Sequence, residues 1–415
     1  MVNKRILGGY MGLRFFSALF FSAVVTVNLV YQATVVGLNP LQLVLAGTLL
    51  ELISFVFEIP TGIVADLYSR KLSVIIGVIL VGVGFMIEGL NPTFAAVLIA
   101  QIVWGIGYTF ISGAREAWIA DEVGEKHAGQ AFMKGQFAAQ AGTFAGIAVS
   151  MVLANIDIRI PIVIGGLFYG LQAVFIGLFM PENNFAPTPA RKRETFRSMK
   201  NIFAKGIASV RNNNVLLAII VTGAIFGMFS EGFDRLWTPY ILQDFSFPAI
   251  GNLKPVVWFG IVSMVAAALA AIITAAFNRR TNAANHRSTV KALFIANILL
   301  VVSVIGFGVA SGFAAAVTMY WLAAAFREIR EPLYNSWANQ NTTSNLRATI
   351  FSMCSQANAL GQVIGGPILG VIAVAFAIKT SIVAAGLVLV PTLFFYAYSI
   401  KNHKIKDYYG KRMAR

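Results

Sequence analysis

The chain has 415 residues, of which 58% are hydrophobic and 12% charged, with a formal net charge of +15. Soluble proteins carry about 25% charged residues, so this chain cannot cover a water-facing surface. Its apolar residues fall in runs of roughly 20, the length of a bilayer-crossing helix, and lack the alternation of a membrane barrel. The fold class that follows is an all-α membrane protein.

Twelve apolar spans are predicted, near 12–35, 41–67, 72–89, 93–114, 129–153, 160–180, 215–241, 255–278, 290–310, 313–335, 348–374 and 380–400. Turn residues punctuate them at Asn39-Pro40, Asn91-Pro92 and Ser311-Gly312. Lys4 and Arg5 precede the first run as in a signal peptide. The run is too long for one and no small-residue cleavage site ends it, so it reads as a retained helix.

Loops after even-numbered spans are basic: Arg70 and Lys71, Lys126, then Arg191 to Arg211, then Arg279, Arg280 and Arg287, then Arg347. The intervening loops hold little beyond Arg159, Lys254 and Lys379. Positive residues stay inside, which predicts that both termini are cytoplasmic. The net charge is then topological and meets anionic lipid, with no call for a nucleic acid. The linker Pro181 to Asn214 separates six spans from six, giving bundles over 1–183 and 214–415 joined by 184–213. Within it Phe196, Met199, Phe203, Ile207 and Val210 recur at steps of three and four, as in an amphipathic helix lying on the inner leaflet.

The halves echo one another. Trp118, Gly142 and Gly146 match Trp337, Gly361 and Gly365 at a constant offset of 219, and Arg115-Glu116 matches Arg330-Glu331 at 215. Such spacing suits six-helix units repeated in parallel. The single cysteine, Cys354, permits no intrachain disulfide, and His127, His286 and His403 read as solvated loop residues.

The loop after the second span reads Gly62-Ile63-Val64-Ala65-Asp66-Leu67-Tyr68-Ser69-Arg70-Lys71. Its Gly62, Asp66, Arg70 and Lys71 resemble the signature loop of the major facilitator superfamily. The strings Phe57 to Asp66, Ser112 to Asp121 and Ser230 to Trp237 resemble bacterial tetracycline and macrolide efflux members. The resemblance implies two pseudo-symmetric six-helix bundles around a cavity, alternating access, and proton-driven export of an amphipathic small molecule or drug. It also implies residence as a monomer in the bacterial cytoplasmic membrane. Metabolite or siderophore transport, import included, and lipid flipping on the same fold are the alternatives. By the resemblance, Asp66 closes the cytoplasmic side with Arg115 or Arg70 as partner. Two positions depart from the family pattern. Gln101 stands where a fourth-span arginine is usual, and the Gly-Pro motif falls in the eleventh span, at Gly366-Pro367, not the fifth.

An ionisable group at mid-bilayer costs about 3 kcal/mol, so such groups are paired, protonated or functional. Glu51 and Glu58 share one face of the second span and are candidate proton sites, as are Glu231, Asp234 and Arg235 in the seventh. Glu231 and Arg235 are four apart and can pair, leaving Asp234 over; Arg327 and Glu331 can pair likewise. Arg14 reads as a residue that snorkels to the interface. Candidate cavity residues are Asn28, Tyr31, Gln32, Gln101, Trp104, Tyr108, Phe226, Trp237 and Trp321. No phosphate loop, zinc-protease or paired-cysteine pattern is present, so the chain is expected to be neither an ATPase nor another enzyme, and to need no cofactor or metal.

Overall fold

The computed structural model describes residues 4–185, 207, 210–211, 213–248, 253–280, 285–342 and 346–413. The amphipathic stretch expected over 196–210 lies outside them, except for 207 and 210. Fourteen helices occur among the described residues, and no strand. They are α1 (Lys4–Thr34), α2 (Pro40–Leu67), α3 (Arg70–Leu90), α4 (Phe94–Ile111), α5 (Ala114–Val123), α6 (Glu125–Ile156) and α7 (Arg159–Phe179). Then follow α8 (Asn214–Asp244), α9 (Pro255–Arg280), α10 (His286–Gly308), α11 (Phe313–Gln340), α12 (Arg347–Ala375), α13 (Ile378–Val388) and α14 (Val390–Met413).

With α4–α5 and α13–α14 each making one span, these are the twelve expected spans. Eleven are long and apolar enough to cross a bilayer by composition alone. The exception is α11, which carries Arg327, Glu328, Arg330 and Glu331 within five residues. Large apolar side chains such as Phe137, Val152, Leu178 and Phe394 are exposed, as lipid-facing helices require.

The turn residues act as helix signals. Asn39 and Gln42 cap α2 reciprocally, each side chain accepting from the other's backbone N–H at 2.9 and 3.0 Å. Thr93 caps α4, and Asn213 caps α8. Gly113 breaks the fourth span with φ +75°, a conformation open to glycine at little cost, and α5 starts there on a new axis. His286 opens α10, where its ring nitrogens lie 3.5 Å from Asn341 Nδ2 and 3.4 Å from Ser399 Oγ, so it is not the solvated loop residue expected.

The chain divides into two compact units: Met1–Arg193 with Phe247–Met264, and Glu194–Ser246 with Val265–Arg415. In the first, α1 packs along α6 and α7, α3 lies between α4 and α7, and α2 rests on α4. In the second, α8 packs along α12 and α13, and α10 on α11, α13 and α14. The first span thus embraces the fifth as the seventh embraces the eleventh. The glycines of the repeat make those seams. A Cβ on Gly142 or Gly146 would run into the carbonyl of Phe15 or Leu19, and one on Gly361 or Gly365 into Ala224 or Met228.

The repeated tryptophans also serve like ends. Trp118 donates its indole N–H to Pro181 O at 2.5 Å, just past the sixth span, and Trp337 donates to Ser399 Oγ at 3.2 Å, late in the twelfth. Trp118→Phe keeps most of the ring and loses that bond, so it should lower stability by about 1 kcal/mol. Thermal unfolding in detergent measures this, and an unchanged midpoint would show the bond to be energetically idle.

Candidate substrate cavity and charged networks

In the first unit a cavity of about 520 Å³ opens among α1, α3, α4, α5, α6 and α7. That lies within the range of small-molecule sites, roughly 300–1,000 Å³. Its walls include Phe21, Trp104, Tyr108 and Tyr169, and its charged rim is Arg14, Arg115 and Glu116, with Gln136 beside them. Phe21 meets Trp104 edge-on at 5.9 Å and Tyr169 at 6.4 Å, and all of these rings bear on Phe85. Gly113 supplies the turn after which Arg115 and Glu116 project into this space. Arg115 Nη2 lies 3.0 Å, and Arg14 Nη1 3.4 Å, from the same oxygen, Glu116 Oε1. Arg14 Nη2 also donates to Gln136 Oε1 at 3.0 Å. Arg14 is therefore part of the cavity and does not snorkel away from it.

Of the candidate cavity residues, Trp104 and Tyr108 line this pocket. Asn28, Tyr31, Gln32 and Gln101 are instead buried inside the unit. Tyr31 donates its hydroxyl to the backbone carbonyl of Glu88, and the Gln32 amide donates to the Glu88 carboxylate, both at 2.7 Å. Glu88 is fully buried. Glu51 is half-buried and Glu58 exposed. Both lie in the electrostatic surroundings of Tyr108, together with Arg115 and Glu116.

The signature loop folds onto its own unit. Arg70 pairs with Asp121 at 2.9 Å and reaches Asp66 at 3.9 Å. Arg115 goes to Glu116, so of the two partners expected for Asp66 it is Arg70 that approaches it. The Glu182 carboxylate accepts from Ser69 Oγ at 2.6 Å and from the Lys71 backbone N–H at 3.0 Å, at the start of α3. Lys71 Nζ donates to Gly177 O at 2.8 Å, and Glu122 accepts from the backbone of Asn183 and Asn184. A Cβ on Gly62 would meet nothing within 4 Å among the described residues.

In the second unit α8 and α11 carry the charges. Glu231 accepts from Arg235 Nε at 3.1 Å, the i,i+4 pair expected. Asp234 is not left over: Arg327 grips both its oxygens with two N–H groups. That bond crosses from α11 to α8 and replaces the expected Arg327–Glu331 pair. Arg330 is buried, its guanidinium 3.6 Å from the centre of the Phe226 ring and 4.9 Å from that of Tyr334. A cation over a ring face is attracted by the ring's quadrupole. Trp237 stacks on Tyr320 at 4.3 Å, and Tyr320 on Phe233 at 6.2 Å. Trp321 is half-buried on α11. These contacts account for the two bases of α11: Asp234 neutralises Arg327 and aromatic faces hold Arg330, while Glu328 and Glu331 are exposed.

Sequence reading offers no role for Glu88, Gln136 or Tyr169, reads Arg14 as snorkelling and Arg327 as the partner of Glu331, and marks Arg330 only as the repeat of Arg115. Glu88, an acid within an apolar span, carried a usable signal; the others depend on neighbours far along the chain.

Comparison with known proteins gives the family. The model of the Major Facilitator Superfamily matches residues 10–366. The uncharacterized MFS-type transporter YxaM of Bacillus subtilis (strain 168) is 24% identical over 370 residues, 88% of each chain. Multidrug resistance protein 1 of the same organism is 25% identical over 236 residues, 55% of this chain and 58% of that one. Among solved structures, the nucleoside transporter NupG superposes with a TM-score of 0.76 at 12% identity, covering 95% of this chain and 99% of that one. A bacterial homologue of the human lysosomal transporter Spinster gives 0.73 at 14% identity, covering 97% and 98%.

Proposed function

The chain belongs to the major facilitator superfamily, a family of secondary transporters, and we propose that it exports amphipathic organic molecules, drugs among them, in exchange for protons. It works by alternating access in the bacterial cytoplasmic membrane, with both termini inside. The observation that carries this reading is the aromatic cavity of the first unit, with its charged rim and drug-sized volume. The similarity to a multidrug resistance protein supports the export direction. The alternation of basic loops supports the orientation.

Energy comes from the proton gradient. One proton falling through 100 mV supplies ~2.3 kcal/mol, enough for roughly a 50-fold cargo gradient. Burial favours Glu231 as the proton carrier over Glu51 and Glu58, since only a carboxylate withdrawn from water changes its partners decisively on protonation. A proton on Glu231 releases Arg235 and weakens the charge balance around Asp234 and Arg327. Asp66, Arg70 and Lys71 act as the cytoplasmic latch, through Asp121 and Glu182.

Glu231→Gln should abolish uphill transport while leaving downhill exchange of cargo within about threefold. Vesicles with an imposed pH gradient and a panel of fluorescent amphiphiles test both statements. Unchanged uphill transport in the variant would remove Glu231 from the coupling. Uptake of nucleosides or small peptides with the gradient, and no movement of amphiphiles against it, would favour a metabolite importer instead. The solved structures similar in fold include a nucleoside and a peptide transporter.

A further inference from the structure

We propose that the cavity of the first unit selects organic anions: it binds a carboxylate, sulfonate or phosphate group on an aromatic body, with Arg14 and Arg115 as the anion clamp. This rests on the transport reading above and narrows it to a substrate class.

Charge balance carries the argument. Among the lining residues two arginines stand against one acid, Glu116; Glu51 and Glu58 act on Tyr108 but are not part of the lining. Both guanidiniums lean on one oxygen of Glu116, the shorter pair at 3.0 Å and the longer at 3.4 Å. Each guanidinium has five N–H donors in a planar fork that fits a carboxylate or phosphate in two-point fashion. Arg14 uses one nitrogen on Glu116 and one on Gln136, while its Nε is buried and finds no partner among the described residues. Arg14 and Arg115 are only 17% and 18% exposed at their side chains, and Glu116 is 40% exposed. The acid can therefore swing toward water more readily than the bases, and an incoming anion takes its place. Phe21, Trp104, Tyr108 and Tyr169 then face the apolar body of the same ligand. A cationic drug would meet two arginines and, in the lining, one carboxylate that both already engage.

The second unit repeats the sign by itself. Arg330 stands at the repeat position of Arg115 and is buried, its guanidinium against the rings of Phe226 and Tyr334 with no carboxylate paired to it among the described ion pairs.

The test uses three ligands of one shape: 2-naphthoate, 2-naphthamide and 2-naphthylmethylammonium. They are titrated calorimetrically into the purified full chain and followed in vesicles with a pH gradient. Naphthoate should bind at least tenfold more tightly than the other two. Arg14→Gln and Arg115→Gln should each weaken naphthoate at least tenfold while changing naphthamide less than threefold. Glu116→Gln removes the competing acid and should tighten naphthoate severalfold, a gain that general damage to the fold cannot produce. Equal affinity for the three ligands, or weaker naphthoate binding in Glu116→Gln, overturns the anion selectivity and leaves the export reading standing. Anion-selective binding without movement of any ligand against its gradient overturns the export reading alone. A short-chain phosphatidylglycerol that binds more tightly than naphthoate, with the same arginine dependence, assigns the clamp to a lipid phosphate and overturns the organic-anion assignment.

Discussion

Arg235→Ala should destabilise the protein by about 3–5 kcal/mol, and adding Glu231→Ala should return most of that loss. The reason is asymmetry. Glu231 has a side chain 4% exposed and accepts the Arg235 Nε bond at 3.1 Å. Removing the base strands a carboxylate in a medium that solvates it poorly; removing both leaves two small apolar side chains. The neighbouring pair sets a contrast. Asp234 and Arg327 are 43% and 31% exposed at their side chains, so neither is as enclosed as Glu231 and stranding one of them should cost less. Arg327→Ala should therefore be the milder of the two single changes, despite its two-point grip. A double-mutant cycle in detergent, followed by thermal unfolding, measures both couplings. Equal and additive losses from Glu231→Ala and Arg235→Ala would show that the pair does not interact.

That pair was legible in the sequence because it obeys a local rule: two opposite charges four apart on one helix. The spans were legible for a similar reason, since apolar length is set by bilayer thickness and needs no knowledge of neighbours. The glycine echo at an offset of 219 showed the repeat of six-helix units, while the seams that these glycines form follow from the structure. What stayed hidden was pairing across the fold. Arg14 finds Glu116 and Arg327 finds Asp234 across 102 and 93 residues, and no spacing rule reaches that far. Arg115 shows the same limit. The repeat singled it out, but the turn at Gly113 aims it into the cavity toward Glu116, whereas the signature loop satisfies itself through Arg70, Asp121 and Glu182.

The two seams give the other large effect. Gly142→Ala and Gly146→Ala should each destabilise by about 1–3 kcal/mol, since the added methyl meets a carbonyl of α1 and not a side chain that can turn aside. The double variant should lose less than the sum, because one outward shift of α6 relieves both clashes. Gly361→Ala and Gly365→Ala should behave alike against α8, where the obstacles are again the backbone of Ala224 and Met228. Stability is half of the expectation. The α1–α6 seam also sets the distance between Arg14 on α1 and Gln136 on α6, now joined at 3.0 Å. Pushing the helices apart by a methyl radius breaks that bond and withdraws Arg14 from the position in which Gln136 holds it. Gly142→Ala should therefore weaken naphthoate binding severalfold at a temperature where the protein is still folded, whereas Gly361→Ala, equally destabilised in its own unit, should leave that bond intact. Calorimetry on the two variants after thermal matching decides it. Equal losses of naphthoate affinity would show that the first seam has no particular hold on the cavity.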